Sequence, residues 1–407
     1  MKQYHVFLVL AVLMSMVGTK AFAYDVAVEN EDGITIYYNF INNSTELEVT
    51  SSYSSYTGDI VIPESVTIFN RTRNVTSIGK DAFYNCENLS SITIPSSITS
   101  IGKDAFYKCG LKKVIVKDLA AWCSISFNDE YSNPLCYARH LYTDENTEIT
   151  DLVIPDGVTT IGNYAFFYCS SLSSVTIPAS VTSIGDYAFY DCSGLKKVIV
   201  KDLAAWCSIS FGNSWANPLY YAHHLYTDEN TEITDLVIPD GVTTIGNYAF
   251  YYCSSLSSVT IPEGVTSIGS GAFNRCSGLS SVTIPEGMTS IGSYAFDNCE
   301  NLATIVSFIE EPSSASCYRA FYSFTLNNAT LYVPQGTTEK YKADYGWKDF
   351  VWIEEGVPAG IKLPANENVE SAGVLRYAPD GRRLAEPKRG LNIMKMPDGK
   401  TKKVIVR

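Results

Sequence analysis

Histidine is almost absent from this sequence: four stand in 407 residues, one of them His5 in a leader described below. A general base in a Ser–His–Asp or Cys–His arrangement would have to come from His140, His223 or His224. All three lie beside acidic residues, away from any serine motif. The patterns His-Glu-x-x-His and Gly-x-Ser-x-Gly are missing, as is a phosphate-cradling glycine-rich loop. These absences argue against an enzyme, and no catalytic or cofactor-binding residue is assigned. There is no Cys-x-x-Cys and no Cys/His cluster, so no metal site is read either. Long apolar runs are lacking as well. The run Val6 to Val17 falls short of the about 20 residues that span a bilayer, and no later segment exceeds it, so no transmembrane segment is expected. Basic charge is sparse, with 30 Lys/Arg against 43 Asp/Glu and a net of −13. An acidic chain suits neither nucleic acid nor an anionic membrane.

What is present begins with that short apolar run. Lys2 and His5 precede it, and Ala21-Phe22-Ala23 offers small residues where a signal peptidase reads. Residues 1–23 read as a signal peptide, cleaved near Ala23 to give a secreted or outer-surface protein. The mature chain carries −15, yet residues 359–407 hold 11 Lys/Arg against 5 Asp/Glu, a net of +6. The body from 24 to 358 is therefore −21, and the change of sign marks a boundary.

Between those limits one phrase recurs. It reads SITIPSSITSIGKDAFYKC from Ser91, SVTIPASVTSIGDYAFYDC from Ser174, SVTIPEGVTSIGSGAFNRC from Ser258 and SVTIPEGMTSIGSYAFDNC from Ser281. Its Ile-Gly-x-x-Ala-Phe element occurs seven times, ending at Phe83, Phe106, Phe166, Phe189, Phe250, Phe273 and Phe296, and a degenerate eighth copy centres on Ala320-Phe321. Four of the six intervals are 23 residues. The Leu-x-x-Val-x-Ile-Pro part alternates as a short strand does, with Pro after the strand where it removes no central ladder bond. Glycine is expected to serve a turn at φ > 0, while Ala, Phe and Cys fill the interior. One unit cannot bury its inward face alone, but stacked units share one core. The fold expected is a β-rich solenoid of parallel strands joined by short helical or 3-10 turns.

The two longer intervals hold a second duplication. Leu111 to Pro178 matches Leu195 to Pro262 at a constant offset of 84. In each copy Asp118 or Asp202 is placed to cap a short helix over Leu-Ala-Ala-Trp. His140–Ile154 and His224–Ile238 read as β-hairpin excursions with a polar Asp-Glu-Asn-Thr-Glu tip. The domains expected are a capping coil over 24–74, the solenoid over 75–328 with the duplicated module at 111–178 and 195–262, a closing coil over 329–358, and a basic β-type tail over 359–407. That tail has turns at Asp380-Gly381 and Asp398-Gly399.

These residues resemble the BspA-type leucine-rich repeats of Bacteroidota surface proteins. Asp32 to Tyr38 and Tyr56 to Pro63 are similar to the family's opening coil; Ala329 to Pro334, with Tyr341-Lys342 and Gly346-Trp347, are similar to its closing coil. The resemblance implies adhesion to host or microbial proteins or glycans by a protein read here as monomeric. The tail is similar to C-terminal sorting domains of the type IX secretion route, with a plain structural end-cap as the alternative.

Three side-chain registers bear on binding. Cys86, Cys109, Cys169, Cys192, Cys253, Cys276 and Cys299 share one position and read as small buried hydrophobes. The acidic hairpin tips lack the spacing of an EF-hand loop and read as solvated. Tyrosine is the suggestive one, with 28 in the chain. Tyr164, Tyr187, Tyr248 and Tyr294 precede Ala-Phe, while Tyr190 and Tyr251 follow it. Stacked at the coil pitch they would form aromatic stripes, either a ligand surface or a cover for the core edge. Ser258, Thr260, Ser281 and Thr283 would add an outward hydroxyl face. A passive structural solenoid and an atypical hydrolase are the competing functions.

Overall fold

A computed structural model describes residues 24–52 and 55–358, and in the tail the strands Leu375–Tyr377, Arg383–Leu384, Gly390–Lys395 and Thr401–Val406. The leader and the two tail turns lie outside the described residues. Every repeat supplies two parallel strands, not one. The longer is the expected Val-x-Ile strand: Ser174–Ile177 pairs with Lys197–Val200, and Ser281–Ile284 with Thr304–Ser307. The shorter is a two-residue Ser-Ile strand, as where Ser267–Ile268 lies between Thr244–Ile245 and Ser290–Ile291. A prolyl turn between the two strands redirects the chain, so the coil has two sheet faces around one core. The short strand holds too few residues for a period-2 pattern to be visible in sequence.

Inside, the repeat phenylalanines are fully buried and stacked along the axis: Phe250 and Phe273 lie 5.1 Å apart at 9°, Phe273 and Phe296 5.3 Å apart at 4°. Phe321 continues the column at 5.4 Å, so the degenerate eighth copy is a true coil. Offset stacking of this kind adds about 0.5–1.5 kcal/mol per pair beyond burial. Cysteine does more than fill space. The Cys276 thiol donates to the Phe250 carbonyl of the preceding coil at 3.1 Å, and Cys192 and Cys299 do the same to Phe166 and Phe273.

The glycine of Ile-Gly corrects an expectation. Glycines 79, 102, 162, 185, 246, 269 and 292 do not occupy the left-handed region. They are required because coils touch there: a Cβ on Gly269 would lie 2.4 Å from the Asn247 nitrogen, and one on Gly102 2.5 Å from that of Lys80. The left-handed residues stand two positions later, where Tyr164, Tyr187, Tyr248 and Tyr294 have φ near 60°. Each N–H there bonds across to the next coil, as Tyr164 does to the Asp186 carbonyl at 2.9 Å. Interlocking of neighbouring coils overrides the cost of about 1–2 kcal/mol for a left-handed residue.

The antiparallel strands Val26–Glu29, Thr35–Ile41 and Glu46–Val49 open the solenoid, and the last passes into parallel pairing with Arg71–Ile78. Thr330–Val333 and Trp352–Glu355 extend the long-strand sheet at the other end. The four tail strands pair antiparallel among themselves.

The duplicated module interrupts both ladders. Leu141–Tyr142 ends one long-strand sheet and Asp151–Val153 begins the next; Leu225–Tyr226 and Asp235–Val237 do so again. The expected hairpins form only at their tips, each closed by one antiparallel bridge, Tyr142 to Glu148 and Tyr226 to Glu232. Their arms belong to different sheets because Leu141 and Leu152 are both fully buried and each must join its own coil. The helices Leu119–Cys123 and Leu203–Cys207 form as expected, with Asp118 and Asp202 accepting from the third residue onward. Side chains then seal each break. Trp206 donates to the Ala249 carbonyl at 3.0 Å, while buried Asn217 donates to Tyr248 and Ala249 at 2.7 and 3.1 Å and accepts from Leu219. Trp122 and Asn133 do the same in the first copy.

Candidate binding surface

The tyrosine registers resolve into patches. Tyr164 and Tyr187 stack at 5.5 Å and 4°, and Trp215 continues them at 5.3 Å and 14°. Phe167 and Tyr190 run alongside, stacked at 5.3 Å, with the Tyr190 ring edge toward Trp215. The next patch gathers Tyr220, Tyr248, Tyr251 and Tyr252, where Tyr220 stacks on Tyr251 at 5.9 Å and Tyr248 meets it edge-on at 5.8 Å. Tyr294 stands apart, 41% exposed. No ring succeeds Tyr248 in the column because Gly271 occupies that place, and a Cβ there would lie 2.9 Å from the Tyr248 ring. The continuous stripe expected from periodicity is therefore broken, at the duplicated modules and at Gly271.

Both readings of the stripe hold in part. Tyr164, Tyr187, Tyr190, Tyr248 and Tyr251 are half-buried, and Phe167 is buried outright. Ring faces cover one another along the axis, leaving ring edges and phenol oxygens at the surface. Burial pushes the Tyr164 and Tyr251 phenols above their ordinary value, so they remain neutral donors at physiological pH. The chain's own cations rest on other rings: Arg139 on Tyr168 at 5.5 Å, and Arg275 on Tyr252 at 4.9 Å, an arrangement worth about 0.5–1 kcal/mol at exposed sites.

The periodic registers did not reveal Trp215, Tyr220, Tyr131 or Tyr252, which complete the patches. The first three lie in the irregular segment of the module, outside the 23-residue phrase. The one signal for them in sequence is that the two module copies differ there.

The hydroxyl face holds in part. Ser258, Thr260 and Ser281 are half-exposed, while Thr283 is 4% exposed and Ser258 gives its hydroxyl to Asp235 at 2.5 Å. Neighbouring strands are about 4.8 Å apart, so adjacent side chains close over the small ones.

The hairpins hold their polar groups for themselves. His140 Nδ1 lies 2.7 Å from Glu148, His224 Nδ1 2.6 Å from Glu232, and each Glu also accepts from a tyrosine at 3.4 Å. Asp144 and Asp228 turn back to accept from the amides two and three residues ahead. Lys113 reaches the Glu145 carbonyl and lies 4.6 Å over the Tyr142 ring. Among the described residues no group of three or more His, Cys, Asp or Glu is placed to hold a metal ion, and no helix is long and apolar enough to cross a membrane. Burial pushes the Cys169, Cys253 and Cys299 thiols up to about 12, which makes them poor nucleophiles.

Several solved proteins are similar to this chain. A leucine-rich cell surface protein from Faecalibacterium prausnitzii is 22% identical, with 82% of this chain and 96% of that chain covered, at a TM-score of 0.44. Leucine-rich repeat proteins from Eubacterium ventriosum and Bacteroides ovatus are 24% and 21% identical, with TM-scores of 0.40 and 0.36. The first match covers 76% of this chain and 75% of that one, the second 79% and 98%. No curated protein matches. The family model for the BspA type leucine rich repeat region matches six copies, over residues 63–132, 141–214 and 225–341. The two-stranded coil, the phenylalanine column and that match over more than half of the sequence agree: the chain belongs to the BspA-type leucine-rich-repeat family.

Proposed function

We propose that this protein is a non-catalytic binding scaffold, secreted or held at the outer cell surface, that attaches to a protein or glycan through its aromatic patches. The observation that carries the reading is the row of half-buried rings from Tyr164 to Trp215, continued in the patch from Tyr220 to Tyr252. Tyrosine and tryptophan give large contact area at low entropic cost, and a stiff solenoid lets separate weak contacts sum. Tyr164, Tyr187, Tyr190, Tyr248, Tyr251 and Tyr294 are the register residues assigned to that surface. Residues 1–23 serve as the export signal, and residues 359–407 as a sorting or anchoring unit of the type IX kind.

The sealing of ring faces by their neighbours favours a second reading, a passive spacer without a specific ligand. The mature chain offered to immobilised matrix proteins and polysaccharides separates the two. The binding reading expects saturable retention that weakens when Tyr187 and Tyr190 are both changed to Ser; absence of retention across the panel contradicts it. Fractionation of cells carrying the chain truncated at Gly360 tests the tail, and unchanged surface delivery refutes a sorting role.

A further inference from the structure

We infer that the two module copies have diverged to contact different ligands, and that the rings of the second copy, Trp215 at the end of the first patch with Tyr220 and Tyr251 in the next, take a neutral saccharide chain. The inference deepens the binding reading above and rests on it. Leu111–Pro178 and Leu195–Pro262 are 68 residues each and differ at eight positions: 128–132, 136, 139 and 167, against 212–216, 220, 223 and 251. Everything else is identical, including the exposed hairpin from His140 to Ile154 and its copy from His224 to Ile238. Uniform drift would have scattered changes over both hairpins and strands. A constraint from the core does not account for the pattern either, because the hairpin tips are exposed and unchanged.

Four of the changed positions, 215, 220, 223 and 251, contact rings of the two patches. Trp215 stacks on Tyr187 with an edge contact to Tyr190, where its counterpart Tyr131 meets Tyr107 edge-on. Tyr220 stacks on Tyr251, so two changed residues touch each other. His223 lies 5.2 Å from Tyr252, where Arg139 lies over Tyr168. Between them sit Asn133 and Asn217, fully buried, unchanged and committed to sealing the break. Six of the eight changed positions are exposed or half-buried, Ser132 and Phe167 being the buried ones, and the sealing residues are identical.

The direction of change sets the ligand class. Asp129, Glu130 and Arg139 give way to Asn213, Ser214 and His223, which removes two carboxylates and a guanidinium. Tyr131, Cys136 and Phe167 become Trp215, Tyr220 and Tyr251, which enlarges one ring system and moves the phenol hydroxyls, one lost at 215 and one gained at each of 220 and 251. The result is a less charged surface, on which Arg275 of the following coil still lies over Tyr252, with a Trp ending a ring column and amide and hydroxyl groups around it. Apolar ring area beside neutral hydrogen-bonding groups matches a partner that presents C–H faces and hydroxyls in alternation, as an uncharged sugar chain does. A charged polymer would find no counter-charge in the changed set.

Affinity gel electrophoresis of the mature chain in dextran, amylose or galactomannan, with chondroitin sulfate and collagen as charged and protein comparisons, tests this. In one variant the second patch takes the first copy's residues (Ser214→Glu, Trp215→Tyr, Tyr220→Cys, His223→Arg, Tyr251→Phe), each accommodated by the fold at the matching site. Retardation by a neutral polysaccharide that weakens at least tenfold in this exchange is the expected result. The hairpin variant Glu232→Gln should keep full affinity. A neutral polysaccharide bound equally by the exchange variant overturns the inference and leaves the binding reading standing, as does retention by collagen or chondroitin sulfate alone. No retention by any probe overturns both.

Discussion

The smallest features of the coil fix how tightly it can stack. The Ile-Gly glycine is needed for approach and not for a turn, so Gly269→Ala drives a methyl into the Asn247 backbone. Overpacking of this kind costs about 1–3 kcal/mol, and urea denaturation should show the loss. Gly157, with φ of 88° and open space around it, should instead lose only the backbone cost on the same change. The cysteine register makes a second residue-scale prediction. With thiols buried and pushed up to about 12, native protein should react with a thiol reagent at neutral pH far more slowly than protein in denaturant. Rapid labelling of Cys169 or Cys253 in the folded chain would contradict their place in the core. At this scale the sequence was a good guide to identity and a poor one to cause. Phe, Ala and Cys are inside, as their periodicity implies. The reason for glycine was hidden because close approach and positive φ select the same residue. The left-handed tyrosines were hidden because the interlock that compensates them comes from the next coil.

At the scale of the element, the module junction is the informative piece. Its helix cap could be read from Asp118 and Asp202, since a side-chain acceptor before a short helical run is a local signal. The true topology of the hairpin could not, because it depends on which sheet each arm joins. Asn217→Ala should destabilise the chain by about 1–3 kcal/mol, since it leaves the buried Leu219 N–H without its acceptor and takes one of two donors from each of the Tyr248 and Ala249 carbonyls. Thermal melts of this variant and of Asn133→Ala should show similar losses. The hairpins also carry a pH dependence. Burial raises the Glu148 carboxyl, but hydrogen bonds led by that from His140 outweigh it and hold the group below its usual value; Ser174 and Ser173 do the same for Asp151. A depressed carboxylate stabilises the fold above its unfolded pKa of about 4 and loses that contribution as pH falls through the lower folded value. Protection factors for amide exchange at Thr147 and Ile149, corrected for the intrinsic pH dependence, should fall in that acid window.

For the whole molecule, the family match and the coil geometry describe a stiff rod whose hydrogen-bond ladders are cut twice while its apolar core runs through. In repeat proteins, stability is a sum of units and nearest-neighbour interfaces, so the two cuts are where cooperativity is weakest. The rod itself was legible in the 23-residue phrase. The binding surface was legible only in part: the repeat gave Tyr164, Tyr187 and Tyr190, while Trp215 and Tyr220 come from a segment without periodicity. Under the proposed function these rings are the contact surface. Oxidative footprinting of the mature chain, free and saturated with whichever polysaccharide or matrix protein retains it, tests that most directly. Tyr187, Tyr190, Trp215, Tyr220 and Tyr251 should become protected, while Tyr142 and Tyr226 on the hairpins keep their free rates. Protection confined to the hairpins or the terminal coils, with those five unchanged, would contradict it.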